Sequence, residues 1–286
     1  ADTAMYLAKD LGKNNFQFFT SSLRQQIKER KTLEHDLRKA LLDENFPFYY
    51  QPFWNVETNE IIAIQSKGAW DHPFRGEIED QRFVPLAENA GLILPLGMWM
   101  IRRACIQIKM WQDLGYKSFP LSIQISNRLL DQPFFVSKLL SMLKEIDLEP
   151  QYLLLELDGA FLTSMDGAQE VLEQLDACGI RLIINRFGSG GSSFDQLPNW
   201  PISKIKIDDT FLQNLNGPNR IIIRSMVELA HQLNLPLLVD HVDTEHQADF
   251  LDSTNCSIRQ GNFYEEPLSN KEFALRYLDP TFREGS

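Results

Sequence analysis

No stretch of this 286-residue chain carries the about 18 consecutive apolar residues that a membrane-spanning helix needs, so no part of it is expected to insert into a bilayer. Its first residues show no basic stretch followed by an apolar run, the pattern of an export signal. Cysteine is scarce. Cys105, Cys178 and Cys256 are scattered, with no pair at metal or redox spacing, and read as free thiols in a reducing cytoplasm. Positive charge is also short: 28 Lys and Arg stand against 39 Asp and Glu, a formal net charge of −11. That balance argues against binding a nucleic-acid polymer or an anionic membrane surface. A small anionic ligand stays open, because a local basic pocket can sit on an acidic protein. This segment is expected to be cytoplasmic, and membrane attachment of a longer protein stays open.

What is present is a globular composition, 43% hydrophobic and 23% charged, with room for one large domain or two modest ones. Residues 1–20 hold a short apolar face (Ala4, Leu7, Ala8, Leu11), a Gly12 stop and a strand-like run over 15–19. One helix and one strand cannot bury a core, so these residues read as the tail of another domain. Residues 21–44 read as a charged amphipathic helix, with Leu23, Ile27, Leu33, Leu37 and Leu41 mostly in helical phase. It is either a plain linker or a helix that relays motion between domains or pairs with a second chain.

From residue 46 onward, strand-like and helical patterns alternate. Strands are expected over 46–53, 61–70, 118–126, 152–158, 181–187, 203–208, 235–242 and 257–264. Helices are expected over 83–90, 98–114, 134–146, 167–178, 194–199, 220–234 and 246–254. The strands carry Ile, Leu and Val at consecutive positions, as buried parallel strands do. The pattern gives the fold class α/β and suggests a closed (β/α)8 barrel, with an open doubly wound sheet as the alternative. The polar turn at 55–59 is too short for a parallel crossover, so the first two strands should pair antiparallel and make the barrel irregular at its start.

In such barrels the active site lies at the C-terminal ends of the strands. The polar residues there are Gln65 and Lys67, Gln124, Glu156 and Asp158, Asn185 and Arg186, Lys206 and Asp208, Asp240 and His241, and Gln260. They come from seven strands, a set that chance placement at strand ends explains poorly. Of the remaining histidines, His72, His231 and His246 have no partner at ligand spacing, and His241 reads as an exposed loop residue. Trp70, Trp99, Trp111, Trp200 and the pair Phe134-Phe135 read as core.

Several segments carry a resemblance: Tyr50-Gln51-Pro52, the run from Phe83-Val84-Pro85-Leu86-Ala87-Glu88-Asn89-Ala90-Gly91 to Leu92-Ile93, Phe187-Gly188-Ser189-Gly190-Gly191-Ser192-Ser193, Ile205-Lys206-Ile207-Asp208, and Gln260-Gly261. Together, over residues 50–267, they resemble the EAL domain, the barrel that hydrolyses the bacterial second messenger cyclic di-GMP. Residues 1–20 resemble the end of a GGDEF domain, which synthesises the same messenger. The resemblance implies a tandem parent protein: a GGDEF-like remnant over 1–20, a linking helix over 21–44, the barrel over 45–280 and a tail over 281–286.

The family's reaction needs two divalent cations, which take oxygen ligands. Carried across, the Glu-Ala-Leu motif is Gln65-Ser66-Lys67, and the phosphate-facing arginine just after it is Ala69. The ligand Asn is Gln124, the next ligand Glu is kept as Glu156, and the aspartate pair is Asn185-Arg186. The lysine near the attacking water is kept as Lys206, the late ligand Glu is Asp240, and the last-strand glutamine is kept as Gln260. Glu156 and Asp240 then stand against Lys206 and Arg186, net zero, and each added like charge near 4 Å costs on the order of 4 kcal/mol at an effective dielectric of about 20.

The resemblance therefore implies a barrel without catalytic residues or cofactor. It would be a regulatory or protein-interaction module of a cyclic di-GMP protein, a homodimer with a further protein partner. Two alternatives stand beside it. One is a receptor that binds cyclic di-GMP uncut through Gln51, Lys67, Arg186, Gly188, Ser189, Lys206 and Gln260, with Arg259 adding positive charge. The other is a weak phosphodiesterase using Mg²⁺ or Mn²⁺ on Glu156 and Asp240. Against the receptor, Glu265-Glu266-Pro267 stands where the family has Ser-Arg-Pro and would add negative charge near an anion.

Overall fold

A computed structural model of the protein describes residues 21–163, 165–189 and 197–279. The helix and strand expected over 1–20, the tail over 281–286 and Gly190-Gly191-Ser192-Ser193 lie outside the described residues. So does the first half of the helix expected over 194–199, of which the turn Leu197–Asn199 is described.

In chain order the elements begin with α1 (Ser21–Leu42), β1 (Phe48–Asn55), β2 (Glu60–His72), β3 (Gly76–Glu79), α2 (Asp80–Asn89) and α3 (Ile93–Asp113). There follow β4 (Leu121–Gln124), α4 (Asn127–Leu130), α5 (Phe135–Ile146), β5 (Leu153–Asp158), α6 (Gly159–Leu162), α7 (Ala168–Ala177) and β6 (Arg181–Phe187). The chain continues through β7 (Lys204–Ile207), α8 (Thr210–Gln213), α9 (Gly217–Gln232), β8 (Leu237–Val239), α10 (Glu245–Asp252), β9 (Ile258–Arg259), β10 (Leu268–Ser269) and α11 (Asn270–Phe273). They fall into two compact units, divided after Phe46, Ala69 and Leu92.

The smaller unit holds α1, the last residues of β2, β3 and α2. Leu37 and Ala40 of α1 are buried, as are Phe46, Phe83 and Ala87, and the Phe46 and Phe83 rings lie 5.6 Å apart. Of the apolar residues read from the sequence, Leu37 is buried and Ile27, Leu33 and Leu41 are partly so. One polar joint lies inside this unit. His72 is 3% exposed; its Nδ1 accepts from the Phe74 backbone N–H at 3.1 Å, which leaves Nε2 to donate to Asp36 Oδ2 at 3.3 Å. His72 therefore has a partner that sequence spacing did not show.

The larger unit holds the barrel. Strands β2, β4, β5, β6, β7, β8 and β9 run parallel in that order. β1 closes the ring by pairing antiparallel with both β2 and β9. The sheet is thus a closed barrel of eight strands among the described residues, irregular where expected, and the open sheet is excluded. β10 adds antiparallel to the other part of β1.

Period-two alternation builds the interior in layers. Ala63, Leu154, Ile183, Leu238, Ile258 and Phe53 form one buried apolar cluster. Two residues further along five of those strands stand Gln65, Glu156, Asn185, Asp240 and Gln260, all buried polar residues. On β1 the polar residue, Gln51, precedes Phe53 because that strand runs the opposite way. An apolar plug therefore underlies one polar layer at the strand C-terminal ends.

Three local readings are corrected. The helix expected from 98 begins at Ile93, because Pro95 sits in the first turn, where no intrahelical N–H is needed. The strand expected over 257–264 is Ile258–Arg259, and the chain turns away through Gly261 at φ +148°. Phe134 is not core: it precedes α5 at φ +65° and is 77% exposed, while Phe135 is buried. Trp70, Trp111 and Trp200 are buried, and Trp99 is partly so.

Candidate functional site

The polar layer is organised around one carboxylate. Glu156 of β5 is fully buried. Its Oε1 accepts from Gln65 Nε2 at 2.8 Å and from Ser122 Oγ at 2.7 Å. Its Oε2 accepts from Asn185 Nδ2 at 3.3 Å and from Lys206 Nζ at 3.1 Å. A carboxylate offers about four acceptor positions, so this chain's own donors fill them. Lys206 then reaches on to Asp240, with Nζ 2.6 Å from Oδ2. The other Asp240 oxygen accepts the His241 backbone N–H at 2.6 Å.

Electrostatics follow from burial and pairing. Burial alone would push the Lys206 ammonium toward its neutral form, but Asp240 and Glu156 outweigh it and hold Lys206 protonated well above the ordinary lysine range. Burial likewise opposes ionisation of Asp240, yet Lys206, then Lys67 and His241, hold its carboxyl well below the usual range. Two carboxylates and one ammonium leave the hub with one net negative charge.

Arg186 is not part of this hub. The β6–β7 register shifts between Ile184 and Phe187, and Arg186 sits in that bulge at φ +55°. Its guanidinium, 58% exposed, lies 3.3 Å from Asp158 Oδ2 and 3.4 Å from Asp208 Oδ2. Burial would raise the Asp208 carboxyl, but bonds from Ser189, Thr210 and Arg186 hold it below the usual range. The counting of Arg186 against Glu156 and Asp240 is therefore revised, since Asp158 and Asp208 compensate it.

A second group lies where β9, β1 and β2 meet. Lys67 Nζ donates to Gln51 Oε1 at 2.9 Å, Gln51 Nε2 to the Glu265 carbonyl at 2.8 Å, and Gln260 Nε2 to the Gln51 carbonyl at 3.3 Å. Gln65 Oε1 and Gln260 Oε1 are buried without a hydrogen-bond partner among the described residues. Gln124 is exposed at the end of β4, where it pairs with Glu156 in the strand register, and its side chain is not among the donors to the Glu156 carboxylate.

Three further expectations change. Arg259 is buried and faces Asp252 at 2.5 Å, the Tyr264 hydroxyl at 3.1 Å and the Cys256 carbonyl at 2.9 Å, so it holds the fold and is not offered to a ligand. Glu265 does not load the pocket with free negative charge, because Arg276 grips both its oxygens at 2.6 and 2.7 Å and the Tyr277 hydroxyl donates to it as well. His241 is only partly exposed; at φ +55° it sets Nδ1 3.5 Å from Asp240 Oδ2 and 3.9 Å from Asp209 Oδ2. Gly188 adopts φ +93°, and Ser189 Oγ donates to Asp208 Oδ2 at 2.6 Å, spending that hydroxyl on the protein.

Sequence reasoning missed Ser122. Its signal was present: a small polar residue inside an otherwise apolar strand, on the face it shares with Gln124.

Would this donor set suit divalent cations? Hard cations need several free oxygen ligands. Here one carboxylate is saturated by four donors, the second is bound to the same ammonium, and the neighbouring side chains present amides. Among the described residues no set of three His, Cys, Asp or Glu is arranged to hold a metal. As arranged, the donors do not fit a pair of dications.

Comparison with known proteins places this geometry. The model of the EAL domain matches residues 34–267. The chain is 34% identical over 271 residues to the bifunctional diguanylate cyclase/cyclic di-GMP phosphodiesterase MucR of Pseudomonas aeruginosa, covering 94% of this chain and 40% of that protein. It is 33% identical over 283 residues to the cyclic di-GMP phosphodiesterase PdeR of Escherichia coli, covering 97% of this chain and 42% of that protein. The chain thus spans about two fifths of the length of these relatives. Among solved structures, the PaMucR phosphodiesterase in complex with c-di-GMP superposes with a TM-score of 0.80 at 32% identity, covering 85% of this chain and 99% of that one. The Pseudomonas aeruginosa FimX EAL domain bound to c-di-GMP superposes with a TM-score of 0.74 at 21% identity, covering 83% of this chain and 96% of that one, a likeness of fold.

Proposed function

The chain belongs to the EAL domain family, and from that premise we propose that its barrel does not hydrolyse cyclic di-GMP and works as a regulatory or protein-interaction module of a cyclic di-GMP signalling protein. One observation carries the reading: Glu156 spends its acceptor positions on Gln65, Ser122, Asn185 and Lys206. Metal-assisted hydrolysis needs an ion to activate water and to offset charge on phosphate. A carboxylate already saturated by amides, a hydroxyl and an ammonium supplies neither role. On this reading residues 1–20 are the end of a GGDEF-like domain, residues 21–44 link it to the barrel, and the module acts as a homodimer toward a protein partner. The test is incubation of the purified chain with cyclic di-GMP and Mg²⁺ or Mn²⁺, followed by separation of products; turnover above a buffer blank defeats the proposal.

A second reading, binding without cutting, is favoured by one group. Lys67 donates to the neutral amide of Gln51 and makes no direct ion pair among the described residues, so although its charge acts on Asp240, its ammonium can still turn to an anion. Titration calorimetry with cyclic di-GMP separates the readings. Saturable heat that is unchanged by EDTA and lost in Lys67→Met supports a metal-free receptor. A flat trace at tens of micromolar leaves the interaction module alone.

A further inference from the structure

Strand β7 supplies no residue to the apolar cluster of the barrel. The position two residues before Lys206, on the same interior face, is Lys204. Parallel register sets Lys204 opposite Ile183, a member of the cluster, and so gives it the same inward direction. Lys206 lies between two carboxylates, whereas the Lys204 ammonium has neither an ion pair nor a hydrogen bond among the described residues. The polar layer beyond it is closed by the buried Lys206, so the partly buried Lys204 meets water at the N-terminal mouth of the barrel. Its neighbour there is a second cation. Arg181 opens β6 two residues before Ile183, on that same face; it is exposed and also lacks an acidic partner among the described residues. Burial first, and then the Arg181 guanidinium, push the Lys204 ammonium below the ordinary lysine range. A partly dry cation beside a second one, with no carboxylate, weakens a barrel face that ordinarily serves stability. Acids are plentiful in this chain, 39 against 28 Lys and Arg, yet none stands at this mouth to pair with the two cations.

We propose that Lys204 and Arg181 form an anion site at the N-terminal mouth of the barrel, and that its ligand is a phosphate dianion, free or carried as a small monoester. Charge selects the phosphate class. The two cations carry two positive charges together, and a phosphate monoester carries about −1.5 to −2 near neutral pH, where a carboxylate carries one. Donor geometry agrees: the guanidinium offers a planar fork for two oxygens, and the ammonium a point charge for a third. Partial burial lowers the effective dielectric and strengthens both contacts over those of a fully exposed pair. The site lies on the other side of the apolar cluster from Glu156 and Lys67, and so does not rest on whether cyclic di-GMP is cut or bound.

The experiment is calorimetric titration with inorganic phosphate and, separately, glycerol 3-phosphate, with acetate as the monoanion, all at constant ionic strength. It is run on the unmodified chain, Lys204→Met, Arg181→Gln and Lys67→Met, with thermal unfolding of each. The unmodified chain is expected to give saturable heat with phosphate and to bind acetate at least about tenfold more weakly. Lys204→Met is expected to lose phosphate binding. Its unfolding midpoint in phosphate-free buffer is expected to be no lower than that of the parent, because the unpaired charge is gone and the apolar stem is kept. Arg181→Gln, a change at an exposed residue, is expected to bind phosphate at least about tenfold more weakly. Lys67→Met is expected to keep the full response, which places the anion at this end of the barrel. Either order of the two phosphates upholds the site and names its source: tighter inorganic phosphate means the free ion, tighter glycerol 3-phosphate a phosphorylated small molecule. No saturable heat with either phosphate overturns the proposal. So does acetate bound as tightly as phosphate, binding that Lys204→Met or Arg181→Gln retains in full, or binding that Lys67→Met removes. If Lys204→Met does not fold, Arg181→Gln decides: phosphate affinity equal to the parent's overturns the site, and a loss of about tenfold or more upholds it.

Discussion

Gln65 donates its side-chain Nε2 to Glu156 Oε1 over 2.8 Å, both groups buried. The amide does more than lack a charge. It supplies the proton that a second carboxylate could not, and so completes the donor ring around Glu156 without metal.

Gln65→Glu reverses this. It sets two buried carboxylates against each other, so the variant is expected to lose about 3 kcal/mol at neutral pH. A carboxyl pair sharing a site has a raised folded-state pKa, so the folded form binds more protons and stability should recover as pH falls from about 7 to about 5. Urea midpoints at the two pH values measure both the loss and its recovery.

Asp240 and Lys206 set opposite ends of one pH window. Asp240 is depressed in the folded state, so its contribution is full above the unfolded carboxyl pKa near ~3.9 and disappears as pH falls through the folded value. Lys206 is elevated, so its contribution is full below the unfolded value near ~10.4 and is lost as pH rises through the folded one. Asp240→Asn should therefore flatten the acid limb of a stability profile while lowering the plateau. An acid limb identical to that of the parent chain would argue against the pairing.

Gly261 carries the turn that ends β9. At φ +148° a Cβ would come within 2.3 Å of both the Val242 nitrogen and its carbonyl oxygen. Backbone cannot give way as a side-chain tip can, so Gly261→Ala should cost roughly 3 kcal/mol by strain and clash. Thermal unfolding of the variant checks this.

The His72–Asp36 bond ties α1 to the end of β2 within the smaller unit. Asp36→Ala is expected to cost about 1 kcal/mol, because Asp36 is partly solvated, and to leave the buried imidazole N–H without its acceptor. Hydrogen exchange should show faster opening of α1 near Leu37, with barrel strands unchanged.

Much of this architecture is legible in the chain because alternation in a barrel strand leaves few choices. Once Leu154 and Ile183 are taken as interior, Glu156 and Asn185 must share that face, and the early position of Gln51 relative to Phe53 follows from an antiparallel first strand. The partners of the charges were not legible. Arg186 leaves the alternation through a bulge and a positive φ, which no spacing rule anticipates, and finds Asp158 and Asp208. Arg259 and Glu265 find partners only when the last loops fold, in Asp252 and in Arg276. The helices Asn127–Leu130, Gly159–Leu162 and Thr210–Gln213 span about one turn each, too short for an apolar period to register.

The most direct measurement is steady-state turnover of cyclic di-GMP by the purified chain with Mg²⁺ and, separately, Mn²⁺, with the linear dinucleotide product quantified against enzyme-free buffer. The account predicts intact cyclic nucleotide and product at the level of the blank with either ion. Product that rises linearly with protein concentration, and that EDTA abolishes, would contradict it.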